Sequence, residues 1–246
     1  MNRLRGETVE TGSLSDDDRR QMFTLFDHCF LGTTPAAFHR DLAEKHWVIL
    51  LRDHGAGVVR GFSTQMLLRA KVGDETLMAL FSGDTIIDPG YWGDHELIHQ
   101  WGRLAVSLIH AHPAERLYWF LITMGYKTYR FLPLFFREFY PQHGAEAPSE
   151  MKMALNTFAS EKFGGNFDPA SGIVRFPGAP VRLRSGIADP DAHRLRNPDI
   201  RFFMTRNPGA ADGDELACIA PLHDGNLRPW AHRIINRERP KPKVGA

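Results

Sequence analysis

The sequence predicts an α/β protein with a mixed, mostly antiparallel central sheet flanked by helices, and three observations predict it. Three β-rich apolar runs, 47–52, 58–70 and 76–88, are separated only by the turn-forming residues 53–57 and by Gly73-Asp74, connections that fit an antiparallel meander. The third run is followed by a helical apolar period, Leu97, Ile98, Trp101, Leu104, Ala105, Leu108 and Ile109. After Pro113 comes a continuous apolar run from Arg116 to Thr123, and a helix between two strands makes that pair parallel.

The remaining elements follow in chain order. Residues 15–30 open with Ser15 and three aspartates and then space Met22, Phe23, Leu25, Phe26 and Phe30 as a capped amphipathic helix. A short helix fits Pro35 to Lys45. Asp88-Pro-Gly-Tyr-Trp-Gly93 breaks the third strand, and Asp94 caps the helix that follows. From Gly125 an aromatic helical segment runs to Tyr140, with Pro133 kinking or restarting it. A helix is expected over 149–162, a short strand over 173–176 and a long surface connection over 177–198. Two last strands, 200–204 and 215–220, are joined through Asn207-Pro-Gly209 and Asp212-Gly213. The whole chain reads as one domain, 1–246, with its core over about 10–220 and a basic, flexible tail at 237–246.

Composition narrows the function classes. The 246 residues are 43% hydrophobic and 24% charged, as in chains that fold in water. Thirty Lys+Arg against 29 Asp+Glu leave a net charge of +1, so no global field draws nucleic acid or an acidic membrane surface. Two cysteines, Cys29 and Cys218, make no disulfide framework or metal knuckle and point to a reducing cytoplasm. The polar N-terminus lacks the apolar run of a signal peptide. The most apolar stretch, 117–139, carries Lys127, Arg130 and Arg137 and reads as core or pocket, with no membrane span.

The order of elements, and above all Ile86-Ile-Asp-Pro-Gly-Tyr-Trp-Gly93, resembles the GNAT acyltransferase superfamily, over roughly residues 10–220. The resemblance implies a GNAT-like sheet whose strand before the loop carries the pantetheine arm of an acyl-CoA. The loop and the next helix N-terminus would hold the pyrophosphate, on unpaired amides and the helix dipole. The donor-binding residues so implied are Ser82, Thr85, Ile86, Ile87, Asp88, Tyr91, Trp92, Gly93 and Asp94. Trp92 stands where the family commonly has a basic residue, and Gly93 is followed by Asp94-His95, so the second glycine is lost and an acid is added. An acyl-carrier-protein thioester, with one phosphodiester, is therefore an alternative donor. Residues 124–136, 207–209 and 213–218 are similar to a divergent subgroup that transfers fatty acyl chains, including onto amines of ribosomally made peptides. The resemblance thus implies a cytoplasmic N-acyltransferase acting on an amine, such as a lysine or ornithine side chain of a peptide, without a metal.

Acyl transfer to an amine needs a neutral amine, a polarised carbonyl and a proton for the departing thiolate. Asp84 is the candidate base, with an acid that pairs with a nearby Arg and fixes the strand end as the plainer reading, and Gly83 beside it suits a bulge that would free backbone donors. Tyr126 and Tyr129 lie just after the parallel strand, where the family often places a tyrosine acid, so the resemblance implies them as candidate acids, each with aromatic core packing as the plainer reading. Cys29, among helix-core aromatics, reads as packing. The aromatic run Phe131, Leu132, Leu134, Phe135, Phe136 and Phe139 suits core or an acyl-chain tunnel. Arg182, Arg184, Arg194, Arg196 and Arg201 suit a solvated connection or a phosphate or carrier-protein contact.

Two other functions compete. His95-Glu-Leu-Ile-His99 fits the H-E-x-x-H zinc peptidase signature, but Ala105 occupies the expected third-ligand position, and helical geometry turns Glu96 and His99 about 140–160° from the apolar stripe. A non-catalytic module that binds acyl-CoA or a carrier protein is the other.

Overall fold

The computed structural model describes residues 3–178 and 181–235. The chain begins with strand β1 (Leu4–Glu10), helix α1 (Asp16–Cys29), the two-residue β2 (Phe30–Leu31) and α2 (Pro35–Ala43). Then come the meander strands β3 (Trp47–Asp53), β4 (Val59–Val72) and β5 (Glu75–Ile87). Helix α3 (Glu96–Ala111) crosses to β6 (Arg116–Thr123), followed by the short helices α4 (Tyr126–Tyr129) and α5 (Phe131–Phe135), and by α6 (Ser149–Phe163). The last part holds β7 (Phe167–Asp168), β8 (Ile173–Val174), β9 (Arg182–Leu183), α7 (Pro198–Arg206), β10 (Glu215–Pro221) and α8 (Pro229–Ile235).

The main sheet has the order β1-β3-β4-β5-β6-β10-β8-β7, with β5–β6 as its parallel pair and every other pairing antiparallel. This is the mixed, mostly antiparallel sheet flanked by helices that the sequence predicts. One face packs α1, α2 and α6 through Met22, Phe26, Phe38, Leu42, Leu155 and Phe158. The other packs α3, α4, α5, α7 and α8 through Leu97, Trp101, Ala105, Tyr129, Phe203 and Ala231. A fully buried Leu or Phe contributes roughly 1.5–3 kcal/mol, so both layers are tightly committed to the sheet.

Local chemistry explains the boundaries. Ser15 accepts from the Asp18 amide at 3.1 Å and Asp18 accepts from the Ser15 amide at 3.3 Å, a reciprocal cap that starts α1 where the sequence places it. Thr34 caps α2, with Pro35 in its first turn.

Four expectations need correction. Residues 200–204 are not a strand: Asn197 accepts from the amides of Asp199 and Ile200, Pro198 sits in the first turn, and the segment is α7. The cap wins over the β-branched and aromatic content. The aromatic helix does not reach Tyr140. Pro133 is accommodated inside α5, and beyond Phe135 the chain is pulled extended by bridges from Phe136 to Leu227 and from Tyr140 to Ile219. The predicted strand at 173–176 pairs only at Ile173 and Val174. The N-terminal segment, read as merely polar, supplies the edge strand β1, in register with all of β3. The tail expected at 237–246 lies outside the described residues.

Candidate active site

The geometry of the site begins with one irregularity in β5. Along the β4–β5 pair the register runs Ser63 to Thr85 and then Gln65 to Ser82, so Gly83 and Asp84 together oppose the single residue Thr64. This is a β-bulge at the predicted glycine. Before it, Leu77, Ala79 and Phe81 face the α6 layer. After it Ile86 faces the same side, packed with Phe62 and Leu50. The extra residue thus changes the parity of the strand and turns Asp84 onto that face.

Glycine is required here. A Cβ on Gly83 would lie 2.6 Å from Thr64 Oγ1 and 3.0 Å from Lys45 Cε. On the opposite face a buried polar chain holds the bulge: Trp119 Nε1 donates to Ser82 Oγ at 2.9 Å, and Ser82 Oγ donates to Gln65 Oε1 at 2.8 Å. Gln65 Nε2 donates to Ser63 Oγ, itself 2.7 Å from Thr85 Oγ1. Closed polar chains of this kind are costly to break.

Pairing between β5 and β6 stops at Ser82 and Leu121. Beyond it the two strands part, and the opening leads into a cavity of about 970 Å³ lined by residues from both layers. Its walls are largely apolar, with Phe26, Phe30, Phe38, Ile122, Leu183 and Ile187 among them. The β2–β9 ribbon, which pairs Phe30 with Leu183, closes one side and ties down the long connection after Pro177.

Two of the carboxyl groups on the cavity wall are strongly perturbed. Asp84 is pushed up to about 7, first by burial and then by the charge of Asp41, against the opposing pull of Lys45. Glu215, at the start of β10, is pushed up to about 8 by burial, with Asp84 and Asp41 adding to it. Ala217 and Ile219 share the α6 face, and by strand alternation Glu215 does too. Lys45, only 4% exposed, is held by Asp41 at 2.6 Å. Glu215 is a site residue that sequence reading missed. An acid at a strand start is ordinarily solvated, and only the sheet order brings β10 next to the end of β6.

The tyrosines separate. Tyr126 is 1% exposed and lines the cavity. Tyr129 does not line it: its hydroxyl donates to the Pro141 carbonyl at 2.9 Å, its ring packs on Phe203 and Phe139, and burial holds its ionisation far above the usual range. The plain reading as aromatic core is the one that holds for Tyr129. The expected aromatic tunnel also divides. Phe131 and Leu134 reach the cavity, whereas Leu132, Phe135, Phe136 and Phe139 are core.

At the other end of the cavity lies the loop after β5. Thr85, Ile86, Ile87, Trp92, Gly93 and Asp94 line it. Ser82, Asp88 and Tyr91 do not: Ser82 belongs to the buried polar chain, Asp88 caps the turn at Gly90 and pairs with Arg60, and Tyr91 packs under the Arg60 guanidinium. Gly93 adopts φ +99°, a conformation that only glycine takes freely. Leu97 and Ile98, in the first turn of α3, also line the cavity. Asp94 accepts from Glu96 N, in that turn, at 2.8 Å and from Leu4 N at 3.1 Å. Lys127, Arg130 and Arg194 add positive charge to this end, with Lys127 Nζ 3.0 Å from the Trp92 ring centroid. Burial, with help from Arg194, brings Lys127 down to about 8. Of the expected arginine cluster only Arg194 lines the cavity. Arg184 instead donates to the Asp27 carbonyl in α1, and Arg201 to the Leu195 and Arg196 carbonyls of the connection.

The H-E-x-x-H segment has a structural task. Glu96 Oε1 accepts from Gly6 N at 3.1 Å, and Gln100 Nε2 donates to Gly6 O at 2.9 Å, docking α3 on β1. His95 precedes the helix and meets Trp230 edge-on. The face turned away from the apolar stripe is covered by the unpredicted strand. No group of three His, Cys, Asp or Glu placed to hold a metal occurs among the described residues. Cys29 lines the cavity, but burial raises its thiol, as suits packing. No helix among the described residues is long and apolar enough to cross a membrane.

No protein-family model matches the sequence, and no curated protein matches it. Among solved structures the chain is similar in part to a conserved protein of unknown function from Enterococcus faecalis, described as a probable N-acyltransferase. There the identity is 12% over 56% of this chain and 33% of that one, with a TM-score of 0.41. It is also similar to a GNAT-family N-acetyltransferase from Escherichia coli in complex with CoA (15% identity, 53% of this chain and 68% of that one, TM-score 0.39). A third is glucosamine-6-phosphate N-acetyltransferase from Arabidopsis thaliana (16%, 48% and 80%, TM-score 0.31). The matched region spans a third of the first of these proteins. At these scores the likeness is partial, and the chemistry of the site carries the functional reading.

Proposed function

We propose that this chain is a GNAT-type N-acyltransferase, built as one domain, that moves a medium or long acyl group from a thioester to an amine. The observation that carries this reading is the opening between β5 and β6: a bulged Asp84 and the cavity-lining Tyr126 stand where two parallel strands part, between an apolar chamber and a cationic loop.

Each part has a chemical use. The parted strands leave backbone groups of residues 83–87 free of a β6 partner, which suits an extended amide-bearing pantetheine arm. Asp84, titrating near neutrality, is matched to deprotonating an amine. Tyr126 supplies a hydroxyl for the departing thiolate. The apolar wall fits an acyl chain, and Lys127, Arg130 and Arg194 fit phosphate. Asp94 occupies donors that a diphosphate would use, which favours a carrier-protein thioester with one phosphodiester over coenzyme A.

The test is thiol release from octanoyl-CoA and from octanoyl carrier protein, with an alkylamine as acceptor and mass detection of the amide. Asp84→Asn and Tyr126→Phe are expected to lower kcat by roughly 10²–10⁴ and 10-fold or more respectively. Retention of the thioester with no thiol release by the wild-type chain would favour a binding module instead.

A further inference from the structure

The acidic end of the cavity is electrostatically unbalanced. Four carboxylic acids line it, Asp41, Glu44, Asp84 and Glu215, against two lysines, Lys45 and Lys162. Both lysines are committed: Lys45 Nζ lies 2.6 Å from Asp41 Oδ1 and Lys162 Nζ lies 3.2 Å from Glu44 Oε2. Asp84 and Glu215 have no hydrogen bond or ion pair of their own among the described residues. They come from β5 and β10, the two neighbours of β6, and stand on either side of its end at Thr123, on one face of the sheet.

A second observation points to the same space. Tyr126 is 1% exposed and lines the cavity, and its hydroxyl has no hydrogen-bond partner among the described residues. Two acceptor carboxylates and an unpartnered hydroxyl around open volume match a primary ammonium group, which carries three N–H donors and one positive charge.

We propose that Glu215 is the second carboxylate of an acceptor subsite and that, with Asp84 and Tyr126, it binds the ammonium of a primary alkylamine. This deepens the acyltransfer reading and rests on it. The same negative balance repels an amine with a carboxylate beside it, so the acceptor class is a side-chain or terminal alkylammonium, such as a lysine side chain within a peptide, and not a free α-amino acid. In the reaction the ammonium gives one proton to the Asp84 carboxylate, and the neutral nitrogen forms a C–N bond to the thioester carbonyl carbon. The C–S bond breaks, the sulfur receives the second nitrogen proton by way of Tyr126, and the third stays on the amide. Asp84 releases its proton to water as product leaves. Glu215, whose proton burial holds up to about 8, gives that proton to water as the ammonium charge arrives beside it, and then holds the nitrogen in line.

Calorimetric titration of the full chain with n-pentylamine, without any donor, reads the subsite apart from catalysis. Pentylamine is expected to bind, with 1-pentanol and norleucine binding at least tenfold more weakly. Glu215→Gln is expected to weaken pentylamine roughly tenfold, the equivalent of one charge-assisted hydrogen bond, and to leave 1-pentanol unchanged. Wild-type protein that ignores pentylamine, a Glu215→Gln variant that binds it as well as wild type, or equal binding of norleucine would each overturn the proposal. Binding as expected, with no thiol released when pentylamine meets octanoyl-CoA or octanoyl carrier protein, overturns the acyltransfer reading and leaves the subsite standing.

Discussion

Replacing Asp84 with Asn should stabilise this protein at alkaline pH while removing its activity. The carboxyl is displaced from its ordinary value of 3.8 to about 7, chiefly by burial. The folded state therefore holds its proton more tightly than the unfolded state does. That advantage is complete below pH 3.8, is lost progressively as pH rises, and becomes a full charge-burial cost above about 7. The displacement corresponds to roughly 4 kcal/mol. Asp84 is only half-buried, and solvent screening through the open cavity offsets part of it, so about 2 kcal/mol is the expected gain for Asp84→Asn near pH 8.5. For a chain of this length that raises Tm by about 4–8 °C. Near pH 4 the two proteins should melt within about 1–2 °C of each other. Paired thermal scans of wild type and variant from pH 4 to 9 measure it. A variant less stable than wild type at pH 8.5, or a Tm difference independent of pH, would refute the idea that Asp84 is a carboxylate held in a desolvated wall.

Three further outcomes follow from the same geometry. Gly83→Ala places a methyl 2.6 Å from Thr64 Oγ1, and denaturant titration should show a loss of about 1–3 kcal/mol, with acyl transfer reduced because Asp84 is displaced with the bulge. Tyr129→Phe leaves the Pro141 carbonyl without its donor and should cost about 1–2 kcal/mol in unfolding experiments with kcat unaltered, whereas Tyr126→Phe should show the reverse pattern. Lys127 titrates at about 8, so donor affinity should fall as pH rises through that value; isothermal titration with octanoyl carrier protein checks this, and Lys127→Ala should abolish the pH dependence.

Much of the frame was legible because its signals are local. Ser15 with its three aspartates, the meander turns, Pro113 and the unbroken run to Thr123 each act within a few residues, and the structure keeps α1, β3 to β6 and α3 close to where they were expected. The errors also have local causes. At 200–204 the apolar content was weighed above the Asn197-Pro198 cap, and the first ten residues hid β1 because an edge strand with one solvated face carries few apolar residues. The bulge at Gly83 could be anticipated, since a glycine inside a strand needs a reason, but its effect on parity could not.

The sequence by itself determined most of the secondary elements and the parallel crossing, because helix period, turn chemistry and caps are set by neighbours along the chain, and the resemblance it carries made Asp84 and Tyr126 candidates. Tertiary structure alone decided that Glu215 stands beside Asp84, that Tyr129 is core, and that Glu96 and Gln100 dock α3 on β1. Those outcomes depend on which strands lie side by side and which face each side chain takes. Both are properties of the assembled sheet, where residues 131 positions apart come to share one desolvated wall and shift each other's charge.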